Sequence, residues 1–221
     1  MSDPNRRGVW TDRTHVFISG ITGSASDMGG KTSTANWWLC EPGKAFDLRV
    51  FFNAKGSSAV RGERVSTVQD LAQKMREGVR HFDFVPATAD WEAHHDRLAQ
   101  FVAELPRSMS KLVVHDEAPE LGDSLLRFVR IYGQEDGVNC KSLVIAQSPT
   151  DIKEKSVIKQ CPAKLWVGPT SEDYRHWFRA NGMSNHYETI AEARAPYHLF
   201  LMEGTRDEDL TLYAPVPEAY A

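Results

Sequence analysis

Residues 15–38 read HVFISGITGSASDMGGKTSTANWW: a short apolar run, a Gly- and Ser-rich segment, Gly30-Lys31-Thr32, then residues able to start a helix. A phosphate-binding loop requires that order. Its glycines let successive backbone N–H groups turn inward around an anion, the following helix points its positive end at the anion, and a lysine and a hydroxyl complete the cradle. The implied targets are the β- and γ-phosphates of a nucleotide and their Mg²⁺. Counted back from Lys31, the spacing G-x-x-x-x-G-K-[ST] puts Ala25 where the first glycine belongs. We therefore open the loop at Gly20-Ile21-Thr22-Gly23-Ser24, directly after the apolar run, and treat residues 25–29 as an insertion before Gly30. On this register the phosphate-binding set is Gly20, Gly23, Ser24, Gly29, Gly30, Lys31, Thr32 and Ser33. The plainer alternative is a Gly/Ser surface loop that happens to precede Gly-Lys-Thr.

A chain of 221 residues is most simply one large domain. Charged and apolar fractions of 25% and 41% are ordinary for a globular protein and suggest neither disorder nor a fibrous class. A net charge of -4 argues against a basic coat, although a ring-shaped motor can keep a few Lys and Arg in its channel. Three cysteines without C-x-x-C spacing indicate neither a disulfide framework nor a structural zinc site. The N-terminus lacks the apolar core of a signal peptide, and no run approaches the roughly 20 apolar residues of a membrane span. The expectation is a soluble, intracellular protein with an N-terminal arm over residues 1–14 and a single domain over residues 15–221.

Strands are expected at residues 15–19, 46–52, 81–85, 111–117, 142–146 and 163–167, with helices at 32–39, 66–78, 90–105, 124–132, 152–159 and 172–180. The second of these helices begins at a capping hydroxyl, Ser66. Two last strands, in YHLFLMEG and DLTLYAP, are joined by a polar turn over residues 205–208. Alternating strands and helices predict an α/β protein whose mainly parallel central sheet is covered on both faces, with a C-terminal β-hairpin. Ligands of such sheets sit beyond the carboxyl ends of the strands, where residues 20–32, 116–117 and 147 fall.

Hydrolysis needs more than a phosphate cradle. Asp116 closes an apolar strand 85 residues after Lys31 and can anchor Mg²⁺ together with the Thr32 hydroxyl. Glu117 is an adjacent carboxylate not committed to the metal, suited to polarise the attacking water as general base. Gln147 ends the next strand, where a neutral amide can bond both water and γ-phosphate or be an ordinary strand-end polar residue. Arg127 and Arg130 lie on the helix between; at a subunit edge either can act as an arginine finger on a neighbour's nucleotide, or both can be surface arginines.

In this order the motifs resemble a family. Gly20-Ile-Thr-Gly23-Ser24 with Gly30-Lys31-Thr32, and Asn53-Ala-Lys55-Gly56 after the second strand, look like the G-x-T-G-S-G-K-[ST] and D-P-K-G stretches of FtsK/HerA-type DNA-pumping ATPases. Residues 112–117 (LVVHDE), Leu126-Arg127-x-x-Arg130 and residues 144–152 (VIAQSPTDI) resemble that family's Walker B strand, arginine helix and sensor strand. A chain holding only the motor looks most like the genome-packaging ATPases of membrane-containing icosahedral viruses. The resemblance implies a three-layer P-loop NTPase fold of the RecA/ASCE type and ATP with Mg²⁺ as cofactors. It further implies double-stranded DNA in the channel of a hexamer-like ring, capsid-vertex or membrane-associated virion proteins as partners, and a place in the host cytoplasm at the packaging vertex. Two departures stand out: the insertion at 25–29, and Asn53 in place of the Asp.

Other readings remain open. Residues 27–34 (DMGGKTST) suggest a partition-type nucleotide switch, the family resemblance also admits a DNA pump that does not package, and an altered loop suits a binding subunit that no longer hydrolyses ATP. Arg61, Arg64, Lys74, Arg76 and Arg80, and Lys153, Lys155 and Lys159, are basic concentrations of the kind that meets phosphates or simply faces solvent. His81, His94 and His95 are assigned to helix and strand surface, and Trp37-Trp38 to the core or a subunit interface.

Overall fold

Side chains alternate between the faces of a strand, so a strand apolar at every position can only be buried on both. The computed structural model describes residues 8–12, 14–20, 30–134, 138–153, 155–193 and 198–220, and it places such strands mid-sheet. In chain order the strands are β1 (Val16–Ser19), β2 (Leu48–Phe52), β3 (Glu63–Val65), β4 (His81–Phe84), β5 (Lys111–His115), β6 (Cys140–Ile145), β7 (Ala163–Val167), β8 (Leu199–Met202) and β9 (Leu210–Tyr213). The helices are α1 (Lys31–Cys40), α2 (Val68–Arg76), α3 (Trp91–Glu104), α4 (Gly122–Gln134), α5 (Lys155–Lys159), α6 (Arg175–Ala180) and α7 (Ser184–Ala191). The strands form one sheet in the order β3-β4-β2-β5-β6-β1-β7-β8-β9. Pairings from β3 through β7 are parallel, and β8 and β9 add an antiparallel hairpin at one edge.

The alternation makes three layers. Val16, Ile18, Leu112, Val114 and Leu143 point to one face, where α1 packs Ala35, Trp38 and Leu39 onto them. Phe17, Val113 and Val144 point to the other, under Leu98 and Val102 of α3 and Leu125 and Phe128 of α4. Beyond β1, Trp166, Phe200 and Met202 meet Phe178 of α6 and Tyr187 and Ile190 of α7.

Trp37 and Trp38 are core residues. Trp38 stacks obliquely on Trp10 with ring centroids 4.4 Å apart, and its indole N–H donates to the Trp10 carbonyl at 2.9 Å. Val9 and Trp10 are themselves buried in this core, with Gly8 and Asp12 exposed on either side. The ammonium of buried Lys141 fixes them by donating to the Val9 carbonyl and reaching Asp12 Oδ1 at 3.4 Å. Cys40, Cys140 and Cys161 are buried free thiols.

Several boundaries and two elements differ from the sequence reading. The cap of α2 is Thr67, whose hydroxyl accepts from Asp70 N, rather than Ser66. β3 has two exposed charged residues in three and no apolar run to announce it. α7 follows a single turn after α6, and polar residues separate its buried His186, Tyr187 and Ile190.

The histidines require the largest correction. His95 is wholly buried and His94 nearly so, because Trp91, His95, Leu98 and Val102 share the inward face of α3. His95 Nδ1 meets Ser124 Oγ at 2.6 Å and its Nε2 meets His115 Nδ1 at 2.8 Å. His115 Nε2 continues to Ser142 Oγ at 3.1 Å, and Ser142 N donates to His15 Nδ1 at 2.9 Å. Neutral imidazoles, each one donor and one acceptor, complete such a chain; with His95 and His115 both cationic, two N–H groups would face each other.

This burial carries a pH dependence. Desolvation lowers His95 to about 3 and His15 and His81 to about 4, so below about 6.5 the unfolded chain takes up protons that the folded chain refuses. Each depressed histidine stabilises the fold above its unfolded pKa and loses that contribution as pH falls. Asp116 acts in the opposite sense, because burial and then the neighbouring Glu117 charge raise it to about 6 and the folded state protonates first. Burial lowers His115 well below its ordinary value too, so four histidines against one aspartate leave a net loss of roughly 6 kcal/mol between pH 7 and pH 5, or about 10–15 °C in Tm. Thermal melts at the two pH values check this. His95→Gln should shrink the difference by about a third, and an unchanged difference would place the protons elsewhere.

Candidate functional site

The sheet order sets the site. β6 lies between β1 and β5, so the carboxyl ends of three neighbouring parallel strands present Gly20, Gln147 and the Asp116-Glu117 doublet side by side. Gly20 follows β1 with φ +153, and a Cβ there would stand 2.2 Å from the Val167 carbonyl oxygen, so only glycine fits. The chain ends are stitched together: Ser19 Oγ and Gly20 N both donate to the Gln147 carbonyl, at 2.8 and 3.4 Å.

α1 begins at Lys31, with Gly30 as its extended N-cap and neither a side-chain cap nor an acidic residue in its first turn. Its leading N–H groups and positive dipole end are thus left to an anion. Thr34 N and Oγ1 both donate to the Gly30 carbonyl, at 2.9 and 3.0 Å, which closes the first turn. Lys31 Nζ reaches back to the Gly20 carbonyl at 2.9 Å. Burial lowers the Lys31 pKa, a shift that Asp116 and Glu117 oppose. Gly23, Ser24, Gly29 and the insertion at 25–29 lie outside the described residues.

Lys31, Thr32, Asp116, Glu117 and Gln147 line one cavity of about 430 Å³, a size suited to a small-molecule ligand. Ser33 stands in the same helical turn without lining it. Consecutive strand residues point to opposite faces, yet both Asp116 and Glu117 reach this cavity. Glu117 adopts φ 51, ψ 43, and this left-handed bend, uncommon for a side chain other than glycine, ends the strand and turns the second carboxylate toward the first. Asp116 is a buried carboxylate whose nearest cationic influences are Lys55 and Lys31, and Thr32 offers a hydroxyl in the same cavity. Among the described residues no cluster of three His, Cys, Asp or Glu side chains could hold a metal. The donor set fits Mg²⁺ bound mainly through phosphate oxygens and water, with Thr32 and Asp116 as its protein anchors.

Four further polar side chains line the cavity: Lys55, Ser57, Glu120 and Asp151. Lys55 Nζ forms an ion pair with Glu117 Oε1 at 2.6 Å. Its turn is locked from beneath by Asn53, which is wholly buried. The Asn53 amide donates to Asp83 Oδ1 at 2.8 Å and to the Ser57 carbonyl at 2.9 Å, while its Oδ1 accepts from Ser57 N at 2.9 Å. Arg64 Nε closes the group on Asp83 Oδ2 at 2.8 Å. This accounts for Asn53 where the motif has Asp. With Asp83 already buried alongside, position 53 must donate as well as accept, and a carboxylate cannot.

Arg127 and Arg130 are exposed on α4 and do not line the cavity of their own chain; Arg127 pairs with Asp96 of α3 at 2.7 Å. Several residues of the basic concentrations are engaged within the chain. Arg64 pairs with Asp83, Lys74 with Glu63 and Glu77, Arg61 lies over the Tyr220 ring, and Lys155 binds the Thr150 and Ile152 carbonyls.

A sheet in which one parallel strand separates the Gly20 strand from the acid-tipped strand, with Gly-Lys-Thr opening α1, has the strand order of the P-loop NTPase fold. Solved structures share it. The genome packaging NTPase B204 from Sulfolobus turreted icosahedral virus 2, in complex with sulfate, matches with a TM-score of 0.69 at 11% identity over 94% of this chain and 98% of that one. The same NTPase in complex with ATP-gammaS matches with a TM-score of 0.65 at 10% identity, over 93% and 99% of the two chains. VirB4 of Thermoanaerobacter pseudethanolicus matches with a TM-score of 0.64 at 11% identity, over 99% and 94%. At these identities the likeness is one of fold. No protein-family model and no curated protein matches the sequence.

Proposed function

We propose that this protein is an ATPase that converts ATP hydrolysis into movement of double-stranded DNA, packaging a viral genome into a preformed capsid as a ring, a hexamer by its family resemblance. What carries the reading is the meeting of Lys31, Thr32, Asp116, Glu117 and Gln147 on one cavity at the ends of β1, β5 and β6. Lys31 and the start of α1 hold the β- and γ-phosphates; Glu117 takes a proton from the attacking water, and Gln147 orients that water against the γ-phosphate. Mg²⁺, anchored by Thr32 and Asp116, would supply charge neutralisation on the phosphates. Arg127 or Arg130, free of the cavity of their own chain, serve a neighbour's nucleotide. Capsid-vertex or membrane-associated virion proteins are the proposed attachment partners; among the described residues no helix is long and apolar enough to cross a membrane.

The test is ATP turnover with and without long double-stranded DNA, together with particle mass in a non-hydrolysable analogue. Stimulation of several-fold and a closed ring are expected. Turnover indifferent to DNA favours the partition-type switch, and absence of any turnover favours the binding subunit.

A further inference from the structure

Lys55 is the cavity cation that the proposed chemistry leaves without a task. Its backbone is fixed: Asn53 is wholly buried and bonded to both Asp83 and Ser57, and the Gly56 amide donates to the Asn53 carbonyl at 3.1 Å. Its stem is not, because more than half of the side chain is exposed while the ammonium reaches 2.6 Å from Glu117 Oε1. Lys31 donates one N–H to the Gly20 carbonyl and keeps two for the phosphates already assigned to it. The ammonium takes up one lone pair of Oε1 on the same carboxylate that the proposed chemistry asks to accept the proton of water. The cavity also carries Asp116, Glu117, Glu120 and Asp151 against two lysines, and of these two Lys55 is the one ion-paired with the carboxylate assigned as general base.

We propose that Lys55 is a sensor of the terminal phosphate, latched on Glu117 in this structure and transferring to the γ-phosphate of a nucleoside triphosphate, which frees Glu117 Oε1 to accept the proton of water. The inference rests on the ATPase reading and extends it to discrimination between triphosphate and diphosphate. A diphosphate has no oxygen at the γ-position and leaves the latch closed. A charged hydrogen bond of this kind is worth roughly ten- to a hundred-fold in affinity.

The full chain, Lys55→Met and Lys55→Arg are titrated with ATPγS and with ADP in the presence of Mg²⁺, and their melting temperatures are compared. Lys55→Met should weaken ATPγS binding at least tenfold, leave ADP within about twofold, and leave Tm unchanged; Lys55→Arg should restore most of the preference. Equal weakening of both nucleotides, or unchanged discrimination, overturns the sensor while the wild-type chain still binds ATPγS. If the wild-type chain binds neither nucleotide, the ATPase reading fails and the sensor falls with it.

Discussion

Glu117→Gln should lower ATP turnover by about 10²–10⁴-fold while leaving ATP binding within a few-fold of wild type, the range expected when a positioned general base is removed. The substitution is close to isosteric. Gln keeps the length of the side chain, tolerates the left-handed backbone no worse than Glu, and still offers Lys55 an oxygen in place of Oε1. It cannot accept a proton. Because Glu117 is not one of the anchors assigned to Mg²⁺, binding should survive, and the loss should fall on kcat. Lys31→Ala is the contrasting case, expected to lose affinity for triphosphate as well as turnover, since its ammonium spans the mouth of the loop. Steady-state kinetics alongside equilibrium binding separates the two. Turnover within about threefold of wild type for Glu117→Gln would remove this residue from the chemistry.

The largest effect on stability should come from restoring the expected motif. Asn53→Asp puts a second carboxylate 2.8 Å from Asp83 Oδ1 in a site with almost no solvent, and removes the donor to the Ser57 carbonyl. Two buried carboxylates at hydrogen-bond distance cannot both ionise, and a lost partner for a buried charge costs about 3 kcal/mol or more. Urea unfolding should report that loss. The double variant Asn53→Asp with Asp83→Asn should recover much of it, because one donor and one carboxylate again face each other. A single variant as stable as wild type would mean that the amide proton on Asp83 is dispensable.

The sheet was legible because its middle strands are unbroken apolar runs, and the phosphate-loop helix because Gly-Lys-Thr sits directly after such a run. Elements whose burial depends on distant partners were not. β3 is held by parallel pairing to β4 and has little sequence signal of its own, and polar side chains interrupt α7. The chemistry of His95 suggests surface, although its spacing from Trp91 and Leu98 places it inward; contacts with Ser124 and His115, 29 and 20 residues away, satisfy it there. The same holds at the site. Lys31, Thr32, Asp116, Glu117 and Gln147 could be placed together from strand ends alone, whereas the relation of Lys55 to Glu117 depends on β2 lying beside β5. Asn53 looked like a defect until Asp83, across the β2–β4 pairing, showed why an amide is needed.

The bond from Lys31 to the Gly20 carbonyl ties the end of β1 to the first turn of α1. The ammonium is thereby held by the two elements that carry the site, the strand through its last carbonyl and the helix through its first residue. A probe attached elsewhere on the sheet should leave its position untouched, whereas any change that alters the approach of α1 to β1 should move it.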